Sequence, residues 1–236
     1  MTLRVVVFDL DDTLYLERDY VRSGFQAVDA WLVGRAGRSG LFAGAWESFV
    51  DGQRVGVLND ALAGLGLDHV VGLADEAVEV YRHHRPTIDL VDGARETLAF
   101  FADRGDAVAL LTDGRAHSQR RKIDALGIAP LFDMIVVTDE LGGRNHWKPS
   151  PEGYELIESQ FGVSGEQLAY IADNRAKDFV APRQLGWKTV RVRHPGGLYD
   201  CDSTDPTDGA GIDADELVDQ LADLAVGPAG RYLLDG

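Results

Sequence analysis

Residues 5–13 read Val-Val-Val-Phe-Asp-Leu-Asp-Asp-Thr, an apolar run that ends directly in three carboxylates and a hydroxyl. If the run is extended, its period of two puts Asp9 and Asp11 on one side of the chain. Two carboxylates so placed can converge on Mg²⁺, or one can attack an electrophile while the other carries a proton. An acidic turn is the rival reading, although such turns are more often broken by Gly, Ser or Asn. Three further groups bear on the choice. Residues 108–111 are apolar and lead into Thr112-Asp113-Gly114-Arg115, a hydroxyl followed by small-residue amides at a helix start. That suits a phosphate cradle and equally an ordinary cap and turn. Residues 168–172 lead into Asp173-Asn174, with Asp178 five positions beyond Asp173, and these carboxylates can complete an oxygen-ligand site with Asp9. Lys148, in Trp147-Lys148-Pro149-Ser150-Pro151, is one of four lysines and stands where a cation facing carboxylates and a phosphate is wanted.

These groups need a scaffold that gathers strand ends. Short β-branched or apolar runs at 4–8, 107–111, 134–137, 168–172 and 189–192 are separated, in the second half, by helix-length segments. That alternation predicts a parallel α/β sheet, whose ligands bind at the carboxyl ends of the strands. A helix is expected to open at Asp92-Gly93 and run through Leu98 and Phe101 to Gly105. Another opens at Ser150-Pro151 and runs through Tyr154, Ile157 and Phe161 to Gly162. About a hundred residues separate the first two apolar runs, far more than the ~10–12 that a crossover needs. Their apolar spacing is helical: Tyr20, Phe25, Val28 and Leu32, then Leu41, Ala45 and Phe49, then Leu73, Ala77 and Tyr81. The expected organisation is a core of residues 1–15 and 91–236 with a helical domain inserted at 16–90.

With 236 residues and 45% hydrophobic content, the chain has the composition of a globular protein. It contains no apolar run of membrane-spanning length and no basic stretch followed by an apolar segment at its start, so a cytoplasmic location is expected. Cys201, the single cysteine, is read as incidental. A formal charge of −16 argues against nucleic acid as a partner. The one basic cluster, Arg120, Arg121 and Lys122, reads as a helix face. From Tyr199 to Asp223 there are nine carboxylates and no Lys or Arg, the pattern of a solvated segment, with a loose loop expected at 200–211. An Asp-rich, Lys-poor surface suits a high-salt cytoplasm, a hypothesis that a loss of stability or activity on raising salt would remove.

Asp9-Leu10-Asp11-Asp12-Thr13, Leu111-Thr112-Asp113-Gly114, Lys148-Pro149 and Ala172-Asp173-Asn174-Arg175-Ala176-Lys177-Asp178 together resemble the four ordered motifs of the haloacid dehalogenase superfamily. The resemblance runs from Val5 to about Arg193, and the long insertion resembles the helical cap of subfamily I. It implies a Rossmann-like core and a Mg²⁺-dependent phosphoryl-transfer site acting on a small phosphorylated metabolite, such as a sugar phosphate or nucleotide, with no membrane partner. Asp9 would then be the nucleophile and a metal ligand, forming an aspartyl-phosphate. Asp173 and the backbone carbonyl of Asp11 would complete the metal site, with Asp178 fixing its shell. Asp11 would serve as general acid and base, on the expectation that two close carboxylates split their protonation. Thr112, Asp113 and Gly114 would hold the phosphoryl oxygens, and Lys148 would neutralise their charge.

Asp at position 11 favours a phosphatase, because the dehalogenase branch has no Asp there; dehalogenation is the least favoured reading. A phosphomutase of the phosphoglucomutase type and a non-catalytic binding or regulatory protein are the alternatives. Asp12 and Ala172 depart from the Gly often found at those positions, and Asp12 is read as a turn residue. Arg115, Asn145 and His146, with Arg144 and Trp147, are the candidates for substrate discrimination. Tyr15, Glu17 and Arg18 fit the mouth of the site and a hinge or solvated face equally well. Trp31, Phe42, Trp46, Phe49 and Tyr81 are read as the inserted domain's own core. His83 and His84, adjacent on a helix, point apart and make no metal pair.

Overall fold

The computed structural model describes residues 2–198 and 212–234; Cys201 and the loop expected at 200–211 lie outside the described residues. The chain divides into two compact units, Met1–Glu17 with Asp89–Gly236, and Arg18–Ile88. The first unit is built on six strands: β1 (Val5–Phe8), β2 (Ala107–Thr112), β3 (Met134–Val137), β4 (Leu168–Ala172), β5 (Lys188–Val192) and β6 (Glu216–Val218). They pair in the order β3-β2-β1-β4-β5-β6, every pair parallel. Every residue of β1 and β4 is buried, as a parallel sheet covered on both faces requires, and this is why these runs are apolar throughout.

Register decides where the polar groups emerge. Phe8 lies opposite both Leu110 and Ile171, so Asp9, Thr112 and Asp173 leave the sheet along the same edge. The strand order reverses direction across β1 and β4, which makes this edge the switch point where a ligand crevice opens. β6 corrects the reading of the acidic C-terminal stretch as a solvated segment. An edge strand needs only one inward apolar side chain, here the buried Val218, and its acidic surroundings concealed it.

The second unit is helical, with α1 (Glu17–Ala36) entering it at Arg18, followed by α2 (Leu41–Val50), α3 (Val57–Gly64) and α4 (Leu73–His83). Tyr20, Val21, Phe25, Val28 and Leu32 form the buried stripe of α1. No side chain next in sequence caps α2; Asp29 of α1 reaches across instead, its Oδ1 accepting the amides of Gly40 and Leu41 at 2.9 and 2.7 Å. The aromatic residues pack on one another: Phe42 stacks on Trp46, Trp46 on Phe49, and Phe25 meets Phe49 edge-on at 6.3 Å. His83 pairs with Glu79 at 3.2 Å, while His84 is buried against Tyr20 and Tyr81.

Around the sheet lie α5 (Ala94–Asp103), α6 (Ala116–Leu126), α7 (Glu152–Phe161), α8 (Val180–Gln184), α9 (Asp223–Val226) and α10 (Pro228–Leu234). α5 opens at Gly93 with no side-chain cap, and its Phe101 tilts against Phe8 of β1 at 6.2 Å. α7 begins one residue after Pro151, which takes the N-cap position, and Gly162 at φ 65° ends it. A Cβ on Gly153 would stand 2.7 Å from Leu111, so glycine lets α7 press against β2. Beneath α7, Tyr154 meets Tyr170 and Trp187 edge-on at 5.1 and 5.4 Å inside a core that also holds Val5, Val7, Leu111 and Phe179. No helix among the described residues is long and apolar enough to cross a membrane.

Candidate active site

β1 ends in a tight reversal in which Leu14 N bonds Leu10 O at 3.0 Å and Asp12 adopts φ 50°. Aspartate tolerates this left-handed conformation better than most side chains. The reversal turns Asp9 and Asp11 toward the crevice and Asp12 away from it. Asp12 is more than the turn residue expected: fully buried, its Oδ1 accepts the amide of Glu17 and its Oδ2 that of Leu198, both at 2.8 Å. Burial pushes its carboxyl up to about 6 against those two bonds. Alongside, His194 Nε2 donates to Thr13 O at 2.9 Å, and burial holds this imidazole below its ordinary value.

Lys148 occupies the centre. Its side chain is wholly buried, and its Nζ donates to Tyr170 Oη at 2.8 Å while lying 2.9 Å from Asp9 Oδ1 and 2.8 Å from Asp178 Oδ1. Burial alone would lower the ammonium's pKa, but Asp178 and Asp9 outweigh it and hold the group well above its usual value. Burial raises Asp9 to about 6, with Lys148 opposing and Asp178 adding to the rise. Asp173 is pushed well up by burial, then by Asp178 and Asp9.

These carboxylates fit a cation. Asp9, Asp173 and Asp178 each offer an oxygen, and the three atoms lie within 4.8 Å of one another. Asp9 Oδ1 and Asp178 Oδ1 are buried beside the Lys148 ammonium, yet neither accepts an aligned hydrogen bond. Hard oxygen donors of unused capacity, mutually repelling in a buried site, are what Mg²⁺ coordinates. Asp178 Oδ2 accepts the Asn174 amide at 3.0 Å, which fixes the orientation of that carboxylate.

Asp11 is caged. Its Oδ1 accepts from Tyr15 Oη and from Lys122 Nζ, the latter at 2.6 Å, and its Oδ2 accepts from Gln119 Nε2 at 2.8 Å. Burial acts to raise its pKa, but the charge and bond of Lys122, with those of Tyr15 and Gln119, prevail and hold it below the ordinary carboxylate value. The two carboxylates do shift apart, but in the direction opposite to the one a protonated Asp11 beside an ionised Asp9 requires: burial raises Asp9, while the donors around Asp11 lower it. Nor do Arg120–Lys122 form one basic face, since consecutive helical residues point apart. Arg120 pairs outward with Glu140 at 2.6 Å while Lys122 turns inward to Asp11.

Thr112 is buried at the end of β2, its Oγ1 accepting from the same Gln119 Nε2 at 2.7 Å. Asp113 also lines the cavity, and its carboxylate is engaged: Oδ1 accepts from Thr138 Oγ1 at 2.7 Å and from the Lys148 amide at 3.0 Å, tying the β2 loop to the Lys148 loop. Asp9, Asp11, Glu17, Gly114, Lys122, Lys148 and Asp173 line a cavity of about 950 Å³. Arg144, Asn145 and Trp147 also line it, whereas Arg115 is exposed and His146 faces Glu152 outside the lining. Tyr15 is buried against Asp11, Glu17 reaches the cavity, and Arg18 lies over Trp46 in the helical unit. Gln119, Lys122 and Tyr170 escaped the sequence reading as site residues. The i, i+3 spacing of Gln119 and Lys122, in a helix that follows the presumed phosphate cradle, was the available signal for the first two.

A six-stranded parallel sheet thus gathers buried acids and a lysine at its switch point. The sequence profile of the haloacid dehalogenase-like hydrolases matches residues 3–186, and the chain belongs to that family. It is 26% identical over 238 residues to the glyceraldehyde 3-phosphate phosphatase of Methanopyrus kandleri, an alignment covering 94% of this chain and 99% of the relative. The phosphoglycolate phosphatase of Pseudomonas fluorescens strain Pf0-1 is 30% identical over 199 residues, covering 81% of this chain and 70% of that one. A haloacid dehalogenase family hydrolase from Deinococcus radiodurans R1, solved with bound phosphate and sodium, has the same fold: TM-score 0.67 at 22% identity, covering 99% of this chain and 98% of that one.

Proposed function

We propose that the chain hydrolyses a small phosphomonoester with Mg²⁺, through an aspartyl-phosphate formed on Asp9. The observation that carries this reading is the pair of unlike carboxylates at the end of β1: Asp9 against Lys148, and Asp11 caged as an anion on the same cavity. Relatives named as phosphatases support the substrate class. Asp9 attacks phosphorus in line, an Oδ–P bond forming as the ester O–P bond breaks. Lys148 supplies a fixed charge to the nucleophile and the phosphoryl oxygens, and Thr112 with the amides beyond Asp113 grips those oxygens. Asp11, held ionised, is ready to take a proton from water in the second step, when the Asp9–phosphate bond is hydrolysed. As the acid in the first step Asp11 must carry a proton taken up from solvent, which it passes to the leaving oxygen as the ester O–P bond breaks; its cage makes that protonated form the minority one. Mg²⁺, held by Asp9, Asp173 and the Asp11 carbonyl with Asp178 behind, would contribute charge neutralisation of the phosphoryl group.

Phosphomutase action remains the second reading, since it needs the same nucleophile and acid/base. The test is phosphate release from phosphomonoesters. It should require Mg²⁺ and vanish in Asp9→Asn while the fold persists, and Asp11→Asn should lower turnover by about 10²–10⁴. Undiminished turnover in Asp9→Asn removes it as nucleophile, and a negligible effect at Asp11 reopens dehalogenation.

A further inference from the structure

We propose that Gln119 and Lys122 are positioning residues that hold Asp11 for proton transfer and couple it to Thr112. The proposal deepens the phosphomonoesterase reading and rests on it. The two side chains stand one turn apart on the buried face of α6, and both line the cavity. Asp11 Oδ1 receives two donors, Tyr15 Oη and Lys122 Nζ, and Oδ2 receives one, Gln119 Nε2. Rotation of the carboxylate about its own bond would break at least one of these. Oδ2, with a single donor, is thus the oxygen that keeps a lone pair for the leaving group or the attacking water.

The Gln119 amide is oriented by chemistry, because an ionised carboxylate can only accept and so must face Nε2. Its second hydrogen goes to Thr112 Oγ1 at 2.7 Å. Accepting there leaves the threonine hydroxyl as a donor, held here only by a long 3.5 Å bond to Asp113 O that a phosphoryl oxygen can replace. One amide therefore sets both the acid/base oxygen and the phosphoryl grip. Gly114 makes room for it: at φ +127°, any Cβ there would lie 2.9 Å from Gln119 Cδ. An ion pair serving folding alone has no need to face the cavity or to share its neighbour's amide with the phosphate-binding threonine.

The test compares wild type, Lys122→Met and Gln119→Leu on p-nitrophenyl phosphate, whose leaving group needs little protonation, and on glycerol 2-phosphate, whose alkoxide needs it fully. Both variants should lose about 10–100-fold in kcat/KM on the alkyl ester, the usual scale for a removed orienting contact, kcat/KM being read because it reports the leaving-group step and not the hydrolysis of the aspartyl-phosphate common to both esters. The loss on the nitrophenyl ester should be at least tenfold smaller. A crystal structure of Lys122→Met should show the Asp11 carboxylate rotated from its place, a readout independent of turnover. Should Lys122→Met fail to fold, Gln119→Leu carries both measurements. Equal losses on the two esters, no loss, or an unmoved Asp11 carboxylate overturns the positioning role while the phosphatase reading stands. A wild type inert toward both esters overturns that reading, and the positioning role with it.

Discussion

Lys148→Met tests the electrostatic centre of the site directly, because methionine nearly conserves volume while deleting the charge. The ammonium sits 2.9 Å from Asp9 and 2.8 Å from Asp178 with no solvent exposure of its side chain. At an effective dielectric near ~20, each contact is a gross attraction of about 6 kcal/mol. Desolvation offsets much of that, and removing one member of a buried charge pair costs about 3–5 kcal/mol net. For a chain of this size each kcal/mol moves the melting temperature by about 2–4 °C, so a drop of about 6–20 °C is expected in EDTA at neutral pH. Added Mg²⁺ should restore more stability to the variant than it adds to wild type, since it supplies the missing positive charge. The assay is calorimetric melting of both proteins with EDTA and with Mg²⁺. A variant melting within about 2 °C of wild type in EDTA would refute the reasoning.

Two further predictions concern neighbouring residues. Burial raises Glu17 to about 7, with Asp11 adding to the rise, so the folded protein holds a proton there that the unfolded chain has released. Its stabilisation is therefore complete below the ordinary value of 4.5 and is lost as pH rises through about 7. Glu17→Gln should flatten the stability profile in that window, as read by urea unfolding in EDTA; an unchanged slope would exclude the contribution. Asp12→Asn keeps the φ 50° turn but sets an amide NH₂ against one of two backbone N–H groups, and should cost about 1–3 kcal/mol. Equal urea midpoints for the variant and wild type would show that the buried clasp contributes nothing.

Much of the site was legible because its parts are local. Asp9 and Asp11, Thr112, Lys148, and Asp173 with Asp178 each stand just beyond an apolar run or in the loop that follows one, and the helical spacing of Tyr20 to Leu32 marked α1. β6 was not legible, since three residues with one inward side chain carry no periodicity. The burial of Asp12 was hidden for another reason: its acceptors are matched by an adjacent helix start and by Leu198, 186 residues away.

The order and spacing of the strand-end groups, and with them the family and the kind of chemistry, were determined by the sequence itself. Each depends on a few consecutive residues whose backbone period is set by sterics. Tertiary structure alone decided which of the two leading carboxylates has its pKa raised and which has it lowered. Gln119 and Lys122 reach Asp11 across 108 and 111 residues, and Tyr170 meets Lys148 from the neighbouring strand β4. A carboxylate's protonation follows the donors and charges within a few ångströms, and those neighbours are chosen by how the sheet and α6 pack.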